Sequence, residues 1–189
     1  MVYYMNMKLV EQTNPILRKV CTPFDFNEPV MDPYELAEGL HEIRRKDGGI
    51  GLAAPQVGID TMALVIGMGN LQTEGAEDYD QVFFNPVITS SEGKETYMIE
   101  GCLSFPGLFV KVKRPETIEL YWETEEGTGC DEKFDGITAR ILQHEIDHLN
   151  GITFLKRANR YHLEQARKQQ KLSARRKKKL EGTIVYEEV

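Results

Sequence analysis

QHEIDHLNG, residues 143–151, decides how the rest of the chain is read. His144 and His148 are four residues apart, so on a helix they lie one above the other on the same face. A divalent metal needs that geometry from one rigid element. Glu145 sits between them, beside the metal position, where it can pass a proton to or from an activated water. The flanking periodicity supports a helix: Ile137, Ile141, His144 and His148 fall at i, i+4, i+7 and i+11, a single stripe. Leu142, Ile146 and Leu149 widen the apolar surface, so the helix is expected to be largely buried. Arg140, Gln143 and Asp147 share the opposite arc and are expected to meet water or polar neighbours. Asp135 is placed to cap the helix and Gly151 to end it. Two inward imidazoles need polar partners, and one cation satisfies both.

A catalytic site of this type takes three protein ligands and leaves a position for water. Downstream, His162 and Glu164 lie in a basic stretch, a poor place for a buried ligand. Upstream, Cys102 lies in EGCLSFPG, a tight segment at the end of a predicted strand. Cys21 reads as core filler and Cys130 as part of an exposed polar turn. By elimination Cys102 is the favoured third ligand.

The 189 residues can bury one substantial core, with ordinary apolar (41%) and charged (28%) fractions. No apolar run approaches a membrane span, and MVYYMNMKLV lacks the pattern of a secretory signal. Three cysteines are too few and odd in number for a disulfide scaffold, which favours a reducing compartment. The expectation is a cytoplasmic protein of bacterial type, with an organelle left open. Residues 1–155 carry 12 Lys and Arg against 26 Asp and Glu, a net of −14; residues 156–189 carry 11 against 4, a net of +7. An acidic body with a basic tail implies two jobs on one chain.

Along the chain, residues 14–24 read as extended and 32–46 as a helix, with Asp32 at the N-cap, Pro33 at N1, and Gly48-Gly49 ending it. GGIGLAAPQVG (48–58) reads as a glycine-rich loop. Gly49, Gly51 and Ala54 fit a degenerate dinucleotide-binding pattern, but that motif needs a strand before it and a helix after it, the reverse of the order here. The better reading is a loop whose small residues let backbone approach a substrate, with Gln56 as its hydrogen-bond donor. Residues 61–67, 82–88, 95–100, 109–113 and 117–122 read as strands, 70–81 as an acidic surface loop, and about 159–180 as a basic helix. The order favours an α+β domain. We divide the chain into a catalytic domain, 1–158, and a basic helical tail, 159–189.

GIGLAAPQVG (49–58), EGCLS (100–104) and QHEIDHLNG (143–151), in that order, resemble the signature segments of peptide deformylase. NPILRKV (14–20) and Arg114-Pro115 fit the same pattern, and the resemblance covers roughly residues 7–165. It implies an α+β fold in which antiparallel sheets pack around a central metal-binding helix, followed by a C-terminal helix. It implies a metal-dependent hydrolase that removes the N-formyl group from the formyl-methionine of new polypeptides, releasing formate. Cys102, His144 and His148 would be the ligands and Glu145 the general acid/base. Gln56 and the Leu103 N–H would hold the oxyanion. Ile50, Gly51 and Gly101 match positions that bind the peptide as an added strand and shape the methionine pocket. The family works best with Fe(II), while zinc, nickel or cobalt can occupy the site. Phe105 and Phe109 either shape the cleft or fill core.

The tail resembles the C-terminal helix that bacterial members dock on the ribosome. RRKKK (175–179) suits rRNA phosphates, or is simply a solvated face. No membrane partner is implied. Two other classes compete: a metallopeptidase with its third ligand downstream, and an RNA-binding protein with a silent site. Intact Gln56, Cys102, His144, Glu145 and His148 argue against the second.

Overall fold

The structure is a computed structural model and describes residues 7–69 and 80–184, with side chains as far as Lys178. Most of the expected 70–81 loop lies outside the described residues, while its last two, Asp80 and Gln81, open a strand. Where residues 14–24 were expected to be extended, Asn14 caps a 3-10 turn, Pro15–Arg18, by accepting from the Ile16 N–H at 3.1 Å. Helix α1 spans Pro33–Lys46. Asp32 accepts from the Tyr34 and Glu35 N–H groups at its start. Gly48, at φ +72°, turns the chain out at its end, its N–H bonding Arg45 O while the Gly49 N–H bonds Arg44 O.

Among the described residues five strands form one antiparallel sheet in chain order: β1 (Gly51–Ala53), β2 (Ala63–Gly67), β3 (Asp80–Glu100), β4 (Val110–Glu123) and β5 (Gly129–Asp135). The segment read as a glycine-rich loop is therefore strand β1 followed by a 3-10 turn, Ala54–Val57. Gly and Ala have little strand propensity, so pairing with β2 decides the conformation. The four short strands expected between 82 and 122 fuse into two long ones. β3 bends without breaking, through register shifts at Phe84/Val87, Ile88/Ser90 and Glu92/Glu95, with Gly93 at φ +79° beside the last. β5, too charged to read as a strand, is an edge strand that pairs Cys130 with Trp122. Cys130 is thus half-buried on the sheet rather than exposed in a turn.

Helix α2 (Gly136–Leu149) packs against β1, β2, β4 and β5, so the sheet curves from edge to edge around it. Asp135 occupies the N-cap position but makes no side-chain cap bond. α3 (Phe154–Arg157) and α4 (Arg160–Ile184) follow. β2 is buried along its whole length because it lies between two layers. Leu64 and Ile66 face the cluster built on α2, with Phe83, Trp122, Phe134, Leu142 and Ile146. Ala63 and Val65 face the α1 cluster, with Leu36, Leu40, Phe24 and Phe84. A continuous apolar run is the pattern such a strand requires. A third cluster, around Phe105, Val112, Phe154 and Ala166, seats the start of α4 against β4. Cys21 lies in the first cluster as core filler, and its burial pushes the thiol up to about 11.

Phe83 is fully buried, with its ring 5.1 Å from Trp122 and 6.0 Å from Phe134. Phe83→Ala should destabilise the protein by about 3–5 kcal/mol in chemical denaturation, through lost burial and the cavity left behind. A loss under about 1 kcal/mol would mean that this layer is not packed as described.

Candidate metal centre

α2 presents His144 and His148 on one face, with ring centroids 5.2 Å apart. Cys102 follows β3 by two residues and brings its Sγ to 3.2 Å from His148 Nε2. One donor atom from each of Cys102, His144 and His148 lies within 4.8 Å of the others. The other expected candidates are engaged elsewhere. The His162 ring packs on Tyr97, and Glu164 pairs with Arg160.

The His144 imidazole is oriented from behind, whereas His148 Nδ1 is buried with no hydrogen-bond partner among the described residues. His144 Nδ1 is 3.0 Å from Glu100 Oε2, leaving Nε2 to face the cluster. Glu100 also accepts from Arg114 Nε at 2.8 Å, Arg114 Nη2 at 3.0 Å and Arg140 Nη1 at 3.1 Å. Burial pushes the Glu100 carboxyl up, but His144 and Arg114 pull it further down, to about 2. Arg114 continues to Asp147 at 2.7 Å, and Asp147 holds Arg157 at 2.6 Å. Arg140, Gln143 and Asp147, the arc expected to meet water or polar neighbours, are thus buried among polar partners. Gln143 donates to Pro115 O at 3.1 Å. Ile137, at the other end of the stripe, is 40% exposed.

Burial lowers both histidines. For His144, bonds to Cys102 and Glu100 more than offset that and raise it to about 10, while His148 stays well below its usual value, with the charge on His144 adding to burial. A cation bound here would take the place of the His144 proton, because an imidazole ligates in its neutral form. With a thiol completing the set, this donor chemistry fits a divalent metal of the iron–zinc group.

Glu145 lies beside the cluster on the floor of an open cleft of about 510 Å³, whose walls include Ile50, Gly51, Gly101, Leu103 and Phe109. Burial dominates its titration and pushes it up to about 7, near the midpoint a proton carrier needs at neutral pH. Its Oε2 is buried with no hydrogen-bond partner among the described residues. β1 runs so close that a Cβ on Gly51 would collide with the Glu145 carboxylate, and a Cβ on Gly101 would meet the Phe109 ring. Gln56 is almost fully buried. Its Oε1 accepts from the Ala53 N–H at 2.8 Å, which fixes the amide so that Nε2 donates to Ser104 Oγ at 3.1 Å and points at Cys102 Sγ at 3.5 Å. Leu103 is half-buried on the cleft wall, its side chain against Gly49. Phe105 fills core, whereas Phe109 is 64% exposed on the cleft rim. Ile50 also walls a side cavity of about 90 Å³, with Ile99, Ile137 and Ile141.

Sequence reasoning missed Ser104, and it assigned no role to Glu100, Arg114 or Arg140. Glu100 and Ser104 flank Cys102 in the EGCLS segment, which was the available signal. Nothing local marks the two arginines as its partners.

A family model described as polypeptide deformylase matches residues 6–164. The chloroplastic peptide deformylase 1B of Oryza sativa subsp. japonica is 35% identical over 164 residues, covering 85% of this chain but only 58% of that protein. Peptide deformylase from Treponema pallidum (strain Nichols) is 36% identical over 162 residues, covering 84% of this chain and 91% of its own length. Among solved structures, a peptide deformylase from Synechococcus elongatus in complex with actinonin superposes with a TM-score of 0.76 at 34% identity, covering 85% of each chain.

Glu100→Ala strands two buried guanidinium groups. It should cost about 3–5 kcal/mol of stability, read by denaturation, and on the order of 10- to 100-fold in metal affinity, read by chelator competition. Because the folded-state value is depressed, the contribution of Glu100 is fully present above the ordinary carboxylate value of 4.5 and is lost as pH falls towards 2. The variant should therefore lose the part of the wild-type acid transition that falls in that window. An unchanged acid transition would exclude the role.

Proposed function

Because the chain belongs to the polypeptide deformylase family, we propose that it is a metal-dependent hydrolase that removes the N-formyl group from the N-terminal formyl-methionine of newly synthesised polypeptides and releases formate. The observation that carries this reading is the meeting of Cys102, His144 and His148 beside a buried Glu145 on the floor of a peptide-sized cleft.

In this reading Cys102, His144 and His148 hold the ion, and Glu100 fixes the ring of His144. A bound divalent ion supplies Lewis acidity towards the formyl oxygen and makes a water acidic enough to lose its proton near neutral pH. Glu145 accepts that proton and delivers it to the leaving amine, a role supported by its carboxyl sitting near 7. Gln56 Nε2, pre-aimed by Ala53, and the Leu103 N–H donate to the carbonyl oxygen as negative charge grows on it. Ile50, Gly51 and Gly101 line the cleft where the substrate backbone lies. Glycine at 51 lets that backbone come close to Glu145.

For the native ion we propose Fe(II), with zinc, nickel or cobalt able to substitute, because one thiolate and two imidazoles suit this group. A thiolate on iron is prone to oxidation, so anaerobic purification with elemental analysis is the check. Among the described residues no helix is long and apolar enough to cross a membrane. The working location in this reading is the bacterial cytoplasm, or an organelle as for the chloroplastic relative. We keep residues 1–158 as the catalytic part and 159–189 as a basic tail that docks on rRNA. The first turns of α4 pack on the body through Leu163 and Ala166, and Gln170 donates to Pro106 O at 2.9 Å. Removing residues 172–189 should spare formate release from short peptides and weaken ribosome co-sedimentation. Unchanged co-sedimentation ends the tail proposal.

Glu145→Ala should lower kcat by about 10²–10⁴ while leaving metal content intact, measured by formate release from formyl-Met-Ala-Ser alongside elemental analysis. Unaltered turnover removes Glu145 from its role. Cleavage of internal peptide bonds without formate release would point to the metallopeptidase instead.

A further inference from the structure

The chemistry above leaves one buried charged cluster unused. Arg44, in the last turn of α1, is 1% exposed. Its Nη1 donates to Gly49 O at 3.2 Å and to Gly67 O at 3.1 Å, and its Nη2 donates to Asp80 Oδ1. Arg45 also donates to Asp80, through Nε at 3.2 Å and Nη2 at 2.6 Å. A single guanidinium thus ties the end of α1 to the approach to β1, the end of β2 and the start of β3. Gly67 leaves room for it, since a Cβ there would collide with both Arg44 and Asp80. Arg44 Nε is buried with no hydrogen-bond partner among the described residues. A buried, incompletely bonded guanidinium is a poor route to stability, because an apolar side chain of similar volume does as well or better. Its fixed fork lets Nη1 hold the two carbonyls while Nη2 holds the Asp80 carboxylate.

The consequence lies in the peptide plane. The Gly49 carbonyl and the Ile50 N–H belong to one trans unit and point in opposite directions. Holding the carbonyl on Arg44 sends the Ile50 N–H away from α1. The Ile50 carbonyl is tied separately to the Gly67 N–H at 2.9 Å, so the peptide units on both sides of Ile50 are fixed. β1 is the edge strand of the sheet, and Gly49, Ile50 and Gly51 line the cleft. An extended peptide that adds to such an edge depends on the direction of its N–H groups.

We propose that Arg44 is a positioning residue for substrate: by anchoring the Gly49 carbonyl it aims the Ile50 N–H at the backbone of the bound peptide. The identity of that peptide rests on the deformylase reading; the anchoring does not. The full-length, metal-loaded protein is compared with Arg44→Met and Arg44→Lys. Four quantities are read: kcat and KM for formyl-Met-Ala-Ser, the Kd of the product Met-Ala-Ser, thermal stability, and amide hydrogen exchange at Gly67 and along α2. Arg44→Met should raise KM and Kd about tenfold, the scale of one lost oriented hydrogen bond, with kcat within about threefold. Exchange at Gly67, whose N–H is held by Ile50 O, should quicken while α2 stays protected. Arg44→Lys keeps a charge for Asp80 but not the fork, so KM should stay raised even where thermal stability equals that of the wild type; if the Met variant does not fold, the Lys variant decides on the same readouts. KM and Kd unmoved in the folded variants, or KM following thermal stability across them, overturns the proposal. A wild-type protein that releases no formate defeats the deformylase reading instead, and exchange at Gly67 in the variants still decides whether Arg44 anchors the strand.

Discussion

The buried carboxylate of Glu100 is the interaction on which the rest of the structure depends. It closes β3, accepts from Arg114 on β4 and Arg140 on α2, and bonds the back of His144. Two residues later the chain delivers Cys102 to the same pocket. One group therefore orients an imidazole and fixes the start of the segment that brings the sulfur. An isolated buried carboxylate would be prohibitively costly, and only its ring of cationic partners makes the arrangement tolerable. Such networks are weak contributors to net stability, so their value here is geometric. They hold the donor atoms of three residues, from two elements, in one small volume.

The surrounding fold serves that geometry. The sheet wraps α2 so that both histidines are enclosed, yet it leaves β1 as an edge beside the cleft. Glycines at 51 and 101 withdraw side chains where backbone must approach, one from Glu145 and the other from Phe109. Burial raises Glu145 to about 7, the range that the proposed proton transfer at neutral pH requires. The same burial would be a liability in a protein selected for stability alone.

Much of this was legible in the sequence where the signal is local. The α2 helix follows from its periodicity, α1 from its Asp32 cap and Gly48 exit, and Cys102 from elimination of poorer candidates. What escaped is what long-range contact decides. Arg140 and Asp147 read as an arc meeting water or polar neighbours, but nothing near them in the chain announces Glu100 and Arg114 as those neighbours. β3 and β4 read as four strands because SSEGK and RP look like interruptions, yet bulges absorb them. β1 read as a loop because Gly and Ala have weak strand propensity, and β5 was hidden by its charges. Gln56 was visible as a donor, but the Ala53 N–H that aims it was not.

The central claim is that Cys102, His144 and His148 bind one ion together. X-ray absorption spectroscopy of anaerobically purified protein, reconstituted with zinc for a clean edge, tests it most directly. The account predicts one sulfur at about 2.3 Å with nitrogen or oxygen neighbours at about 2.0–2.1 Å, and loss of the sulfur shell in Cys102→Ser with the imidazole signal retained. A first shell without sulfur, or a sulfur shell that survives Cys102→Ser, would contradict it.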